Sequence, residues 1–407
     1  MKITGMRIEN LTTRDHAPFD GVGAQRSAAP LDIYEEYAVM GDGRLGPKTR
    51  RDHCWWDKSE DGMYTVAFLV IETDEGIEGW HGPIEYRSQL LVAMEGLREH
   101  IIGRDPLETR LMWDIMSRFE RHASTGVMMM AISVVDIALW DLKGKILGQP
   151  VYKLLGGGRP KIKPYLSTLS FATDADSVRA RAKQFMDMGF EAQKWFFPYG
   201  PGSGTQGMRH NLEMANALRE TVGPDYPIMF DCWMGWDYAY AQDMLRELEP
   251  LRPKFIEELF RPQYFEAYRR IARETSIPLA AGEHFYNKQQ VLQYLKEDAF
   301  AYIQSDPEWS GGITETLRIA DLCETFGVKM IPHGHNLLPA MHVIAASSPE
   351  VAPMGEYLLN INYHKTCFFR RHPLIDGYMT LNDTPGIGED INWDIVEKRE
   401  VVTGFTF

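Results

Sequence analysis

The stretch Val328–Asn336, VKMIPHGHN, ends a short apolar run with a histidine at the place where a buried strand opens into a loop. Four runs upstream are built the same way, each closing on a polar group: Pro227–Asp231 (PIMFD), Lys254–Glu257 (KFIE), Pro278–Glu283 (PLAAGE) and Ala301–Asp306 (AYIQSD). From Asp231 to His333 the closing groups lie 26, 26, 23 and 27 residues apart, and a further 23 reaches Glu356 in APMGEY. Helical patterns fill the gaps. In Tyr238–Leu251 the apolar Ala241, Met244, Leu245, Leu248 and Leu251 recur at helical spacing, and Thr314–Phe326 stops at Gly327 as a helix C-cap would. Strand, loop and helix repeating at this length is the signature of a parallel α/β barrel, in which the strand ends of one face carry the chemistry. The polar groups are therefore expected to converge.

A chain of 407 residues with 44% hydrophobic content accommodates such a barrel and a sizeable addition. The formal net charge of −14, with no basic run to offset it locally, excludes nucleic-acid binding by phosphate neutralisation and leaves small molecules as partners. Cys54, Cys232, Cys323 and Cys367 are widely separated, which fits reduced thiols rather than a disulfide framework or a zinc site. MKITGMRIEN has no apolar leader, and no run approaches the length of a membrane span. The chain reads as cytoplasmic.

Upstream of the repeat the pattern changes. Lys2 to Gly82 is strand-like, with Met63–Glu72 (MYTVAFLVIE) running into a turn at Asp74–Gly76 and another strand into Trp80. This is a meander rather than βαβ. Two polar, glycine-rich segments, Asp15–Pro30 and Gly41–Asp61, exceed plain turns and have the length of lids or disordered loops. Helices are predicted over Arg87–Ile102 and Pro106–Arg121, which makes residues 1–125 an α+β domain. A further helix carries the stripe Ile132, Val135, Leu139, Leu142 and Ile146 and stops at Gly148.

Ala131–Gly157, with Asp136, Ala138–Asp141, Lys145 and Leu154–Gly157, resembles the signature of the mandelate racemase and muconate lactonising branch of the enolase superfamily. FDCWMGW (Phe230–Trp236), FIEE (Phe255–Glu258), GEH (Gly282–His284), QSDPEWSGG (Gln304–Gly312) and IPHG (Ile331–Gly334) resemble, in order, strand-end motifs of its L-rhamnonate dehydratase group. The likeness extends to Gly386–Gly388. It implies a modified (β/α)7β barrel over residues 126–375, with a capping domain made of 1–125 and a returning segment, 376–407. It implies association into homo-oligomers as well.

Asp231, Glu257 and Glu283 come from three successive strands. Three carboxylates on one face repel one another unless a hard divalent cation neutralises them, and oxygen donors suit magnesium, one ion per site. Glu258 adjoins Glu257, and the pleat sends neighbours to opposite faces; the resemblance makes Glu257 the ligand. Asp306 and His333 form an acid-base dyad in which the aspartate orients the imidazole. By resemblance this dyad abstracts the proton next to a carboxylate. Family members with a base on the opposite face commonly carry Lys-x-Lys where this chain has Lys194, Trp195 and Phe196. Lys194 is then expected to neutralise substrate charge. Glu356 resembles the acid that hydrogen-bonds the enediolate oxygen, with burial among acids keeping it protonated. His284 and Trp309 are candidates for the pocket, as are His16, Arg50 and Arg51 in the capping loops, an arginine fork being suited to a carboxylate. The expected activity is a magnesium-dependent acid-sugar dehydratase that removes the C2 proton and the C3 hydroxyl to leave a 2-keto-3-deoxy acid. An epimerase, racemase or cycloisomerase on the same site, or a silent sugar-acid binder, is the alternative.

Overall fold

The computed structural model describes residues 1–14, 25–40, 46–48 and 62–402. Eight parallel strands form one sheet, beginning with Pro164–Ser167, Gln193–Phe196, Ile228–Asp231 and Phe255–Glu257 in chain order. Leu279–Ala281, Tyr302–Ile303, Lys329–Met330 and Gly355–Leu358 follow. The eighth strand pairs with the first, so the sheet curls, and a Met330 N–H to Val351 C=O bond of 2.8 Å ties the seventh strand to the segment that leads into the eighth. A helix follows each of the first seven strands, from Ala175–Asp187 to Leu337–Ala346. This is the (β/α)7β barrel. The helix expected from Thr314 begins two residues earlier, at Gly312, and ends at Gly327 in the left-handed conformation as read.

The pleat explains what fills the barrel. Successive side chains of a strand point to opposite faces, and Ile228, Phe230, Ile256, Leu279, Ile303 and Met330 point outward into the main apolar core under the helices. The inward residues form a separate apolar plug of Tyr165, Ala192, Met229, Phe255, Ala280, Tyr302 and Ile331, with Met354 against it. Two residues further along every strand lies the next inward position: Ser167, Lys194, Asp231, Glu257, Gly282, Gln304, His333 and Glu356. A dry floor thus carries a polar layer, and the same period of two produces both.

Ahead of the barrel, Ile3–Arg14, Met63–Thr73 and Glu78–Ile84 form the expected antiparallel meander. Lys398–Val401 adds a fourth strand beside the first, so the chain end returns to the cap. The 22-residue helix Gly126–Leu147 packs between this sheet and the barrel helix Gly312–Phe326. Its signature aspartates are anchors. Asp136 accepts from the Thr314 N–H at 3.0 Å and the Thr314 hydroxyl at 2.6 Å. Asp141 accepts from the N–H groups of Trp80 (2.8 Å) and Ile387 (2.9 Å) and pairs with Lys145 at 2.6 Å. A Cβ on Gly386 would stand 2.1 Å from Asp141 Oδ1, and its φ of 89° is left-handed, so glycine is required there.

His342 grips the same tail from the barrel side. Its Nδ1 accepts from the Tyr152 N–H at 3.0 Å, so Nε2 carries the proton donated to the Ile387 carbonyl at 3.0 Å. Burial pushes its pKa down to about 4. A neutral histidine of this kind contributes stability that is complete above its unfolded value near 6.5 and is lost as pH falls toward 4. Urea unfolding midpoints should therefore fall over that window, by about 3 kcal/mol at most from this group. The fall should be shallower in His342→Gln.

Candidate active site

The polar layer is buried, and its charges are unequal. Lys194, 1% exposed, stands 3.0 Å from Asp231 Oδ2, 2.6 Å from Glu257 Oε2 and 2.7 Å from Glu356 Oε1. Burial works against its ammonium, but Glu257 and Glu356 more than offset this and hold it charged well above the usual lysine range. Lys194 thus pairs with three of the protein's own acids, Glu356 among them. Burial alone would raise the pKa of Glu356, as the sequence reading assumed, but Lys194 and His333 draw it below the ordinary carboxylate value.

The three acids expected as metal ligands sit at the strand ends, turned in two directions. Asp231 and Glu257 face Lys194, and Gln304 donates to Glu257 at 2.7 Å. Glu283 faces His333 Nε2 and His284 Nδ1, both at 3.4 Å. Gly282, at φ 139°, takes the inward position of this strand, where a Cβ would meet the Gln304 nitrogen at 2.8 Å; the acid is the next residue. Burial raises the pKa of Asp231, Glu257 and Glu283 alike, with Glu283 acting on Asp231 and Asp231 on Glu257 in the same sense. Glu257 Oε1 is buried with no hydrogen-bond partner among the described residues. An oxygen-only donor set with surplus negative charge and an unused inward oxygen fits a hard divalent cation. A second grouping overlaps it. The donor atoms of Glu258, Glu283 and His284 lie within 4.8 Å of one another, and Glu258, held at φ 44°, accepts from His284 at 2.8 Å.

His333 Nδ1 lies 2.8 Å from Asp306 Oδ2, whose other oxygen accepts the Glu308 N–H at 2.6 Å. The two residues therefore meet as the dyad requires. A cleft of about 590 Å³ opens over this layer and has two unlike walls. His284, Trp309, His333 and His335, from the fifth to seventh strand ends, line one side together with Glu85 and Tyr86 of the cap. Leu169, Phe196, Leu358 and Ile361, from the first, second and eighth, line the other. Asp231 and Glu283 reach the cleft, while Lys194, Glu257 and Glu356 lie beneath it. His16, Arg50 and Arg51 fall outside the described residues. Sequence reasoning passed over Glu85, Glu308 and His335, although a signal existed. Asp306 and Glu308, like His333 and His335, are two residues apart and share a face.

Residues 60–156 match the mandelate racemase / muconate lactonizing enzyme N-terminal domain family, and residues 177–395 match the enolase C-terminal domain-like family. The chain belongs to this enolase-superfamily group. A D-galactonate dehydratase of Pectobacterium atrosepticum is 33% identical over 355 residues, 82% of this chain and 90% of the relative. The crystal structure of rhamnonate dehydratase from Gibberella zeae complexed with Mg superposes with a TM-score of 0.80 at 26% identity, covering 97% of this chain and 95% of that one. The 3,6-anhydro-D-galactonate cycloisomerase from Zobellia galactanivorans, 24% identical, shares the fold with a TM-score of 0.75 over 98% and 100% of the two chains.

Because Lys194 is the shared cation of three buried acids, Lys194→Met should lower the stability of the metal-free protein at pH 7 by about 3–5 kcal/mol. The urea midpoint reports this, and saturating Mg²⁺ should recover part of the loss.

Proposed function

We propose that the protein is a magnesium-dependent acid-sugar dehydratase, converting an aldonate of the galactonate or rhamnonate kind to its 2-keto-3-deoxy acid. The His333–Asp306 contact of 2.8 Å at the wall of the cleft carries this reading, and the dehydratase relatives support it. Asp231, Glu257 and Glu283 would hold the ion. When bound, magnesium supplies positive charge to the substrate carboxylate and so lowers the energy of the enediolate left by proton loss.

The remaining steps belong to side chains. Asp306 accepts from Nδ1–H of His333, which leaves the Nε2 lone pair directed at the cleft and stabilises the imidazolium once it forms. Burial works against the charged ring, but Glu283 and Asp306 outweigh it and push the His333 pKa up to about 9; that charge would be offset by a cation held by Glu283, and the neutral imidazole takes the C2 proton onto Nε2. Among the described residues the opposite wall offers the apolar Leu169, Phe196, Leu358 and Ile361, none of which can donate or accept a proton, and Ser27 also lines the cleft. The imidazolium of His333 then serves as the acid for the departing C3 hydroxyl and returns its proton so that water leaves. The enol ketonises to the product. Racemisation or epimerisation at C2 needs a proton delivered from the other face, and Phe196 stands where a second lysine would. Glu356 accepts the Gly334 N–H at 3.1 Å and, with Lys194, fixes the layer on which the carboxylate end of the substrate rests.

His333→Asn should lower keto-acid formation from any accepted aldonate at least about 10³-fold while leaving the fold intact by circular dichroism. Retained turnover would sink the mechanism. For the ion, calorimetric titration of Mg²⁺ should weaken by more than about tenfold in Glu257→Gln and by less in Glu258→Gln, which removes only a partner of His284. The reverse order would assign the ion to Glu258, Glu283 and His284.

A further inference from the structure

Beside the His333–Asp306 dyad stands a second one that the mechanism does not use. His335 Nδ1 lies 3.0 Å from Glu308 Oε2, its ring is within 11° of parallel to that of His333 at 6.0 Å, and Trp309 touches both rings. Lys365 donates to Glu308 at 3.0 Å and stands 2.9 Å from His335 Nδ1. The other nitrogen, Nε2, meets Glu85 Oε2 of the cap. His81 extends the chain, 3.7 Å from Glu308 and 3.0 Å from Glu389 of the C-terminal segment. Glu85 is only 4% exposed, yet it lines the cleft, and its Oε1 has no hydrogen-bond partner among the described residues.

Burying a carboxylate and leaving one oxygen unpaired costs about 1–3 kcal/mol or more. Here the cost falls on a carboxylate whose other oxygen is held by His335 of the barrel, itself held by Glu308 and Lys365, at the edge of a cleft. A clamp between cap and barrel would need only Oε2. An ionised carboxylate oxygen is an acceptor without a proton to give, so its complement is a hydroxyl. We propose that Glu85 is a substrate-binding residue whose free Oε1 accepts a hydrogen bond from a hydroxyl of the sugar acid beyond the reacting C2–C3 pair, with His335 as the residue that positions it. The inference rests on the sugar-acid reading. His335 lies one ring further along the wall than the base, which puts Glu85 beyond the carbons that react. The site thereby selects polyhydroxy acids over short 2,3-dihydroxy acids, and does so from the cap rather than from the barrel.

The test measures binding, so it stands apart from the reaction. Mg²⁺-loaded wild type, Glu85→Gln and His335→Asn are titrated with D-galactonate, L-rhamnonate and D-glycerate, the last having C2–H and C3–OH but no further hydroxyl. Wild type should prefer a hexonate over glycerate by about tenfold or more. Both variants should lose that preference through weaker hexonate binding, with glycerate binding and the urea midpoint changed little. Equal losses on long and short acids, or a collapse of stability that accounts for the loss, would overturn the proposal and make the relay a structural clamp. So would undiminished hexonate binding, or a wild type without the preference. A wild type that shows the preference but forms no keto acid would refute the dehydratase reading and leave the role of Glu85 standing.

Discussion

Lys194 inserted among Asp231, Glu257 and Glu356 is the contact on which the interior of the barrel depends. An apolar plug of Met229, Phe255, Tyr302 and Ile331 sits one inward step below, so these charges are carried on a dry floor with little water to screen them. In such surroundings one ammonium cannot balance every carboxylate, and burial first, with neighbouring acids adding to it, raises the pKa values of Glu257 and Glu283. That imbalance makes the layer a cation site. It also separates the site into a buried, charged base and an accessible wall on which His284, His333 and His335 face the cleft.

The cap is tied to this layer through a small number of polar contacts. Asp141 joins the long helix to Trp80 of the cap sheet and Ile387 of the tail, and His342 holds the same tail residue from a barrel helix. The family signature around Asp136 and Asp141 is thus structural, and the catalytic groups lie at the strand ends far from it in sequence. Glu85 shows the same coupling from the other direction, since a cap residue reaches the cleft only because His335, 250 residues later, receives it.

What could be read from the sequence follows from which constraints are local. The spacing of Asp231, Glu257, Glu283, Asp306, His333 and Glu356 is a property of strand–helix units, and it located the barrel and brought His333 and Asp306 to neighbouring strand ends, where they meet. The contacts of Lys194 with Asp231, Glu257 and Glu356 were not legible, because they join side chains of different strands in a way that no spacing encodes. The start of the helix at Gly312 was missed because Thr314, taken as its first residue, is instead tied by its N–H and hydroxyl to Asp136 of another helix. Glu308 and His335 carried a partial signal in the i, i+2 pairs with Asp306 and His333, but Glu85, which meets His335, lies on the cap.

The central claim is that one imidazole serves both as base and as acid at a cleft whose other wall, among the described residues, is largely apolar. Incubating the Mg²⁺-loaded protein with D-galactonate or L-rhamnonate in deuterated water and following the sugar acid by NMR tests it directly. The account predicts a 2-keto-3-deoxy product and no C2-inverted substrate. Recovery of the C2 epimer, or of a cyclic isomer without loss of water, would contradict it.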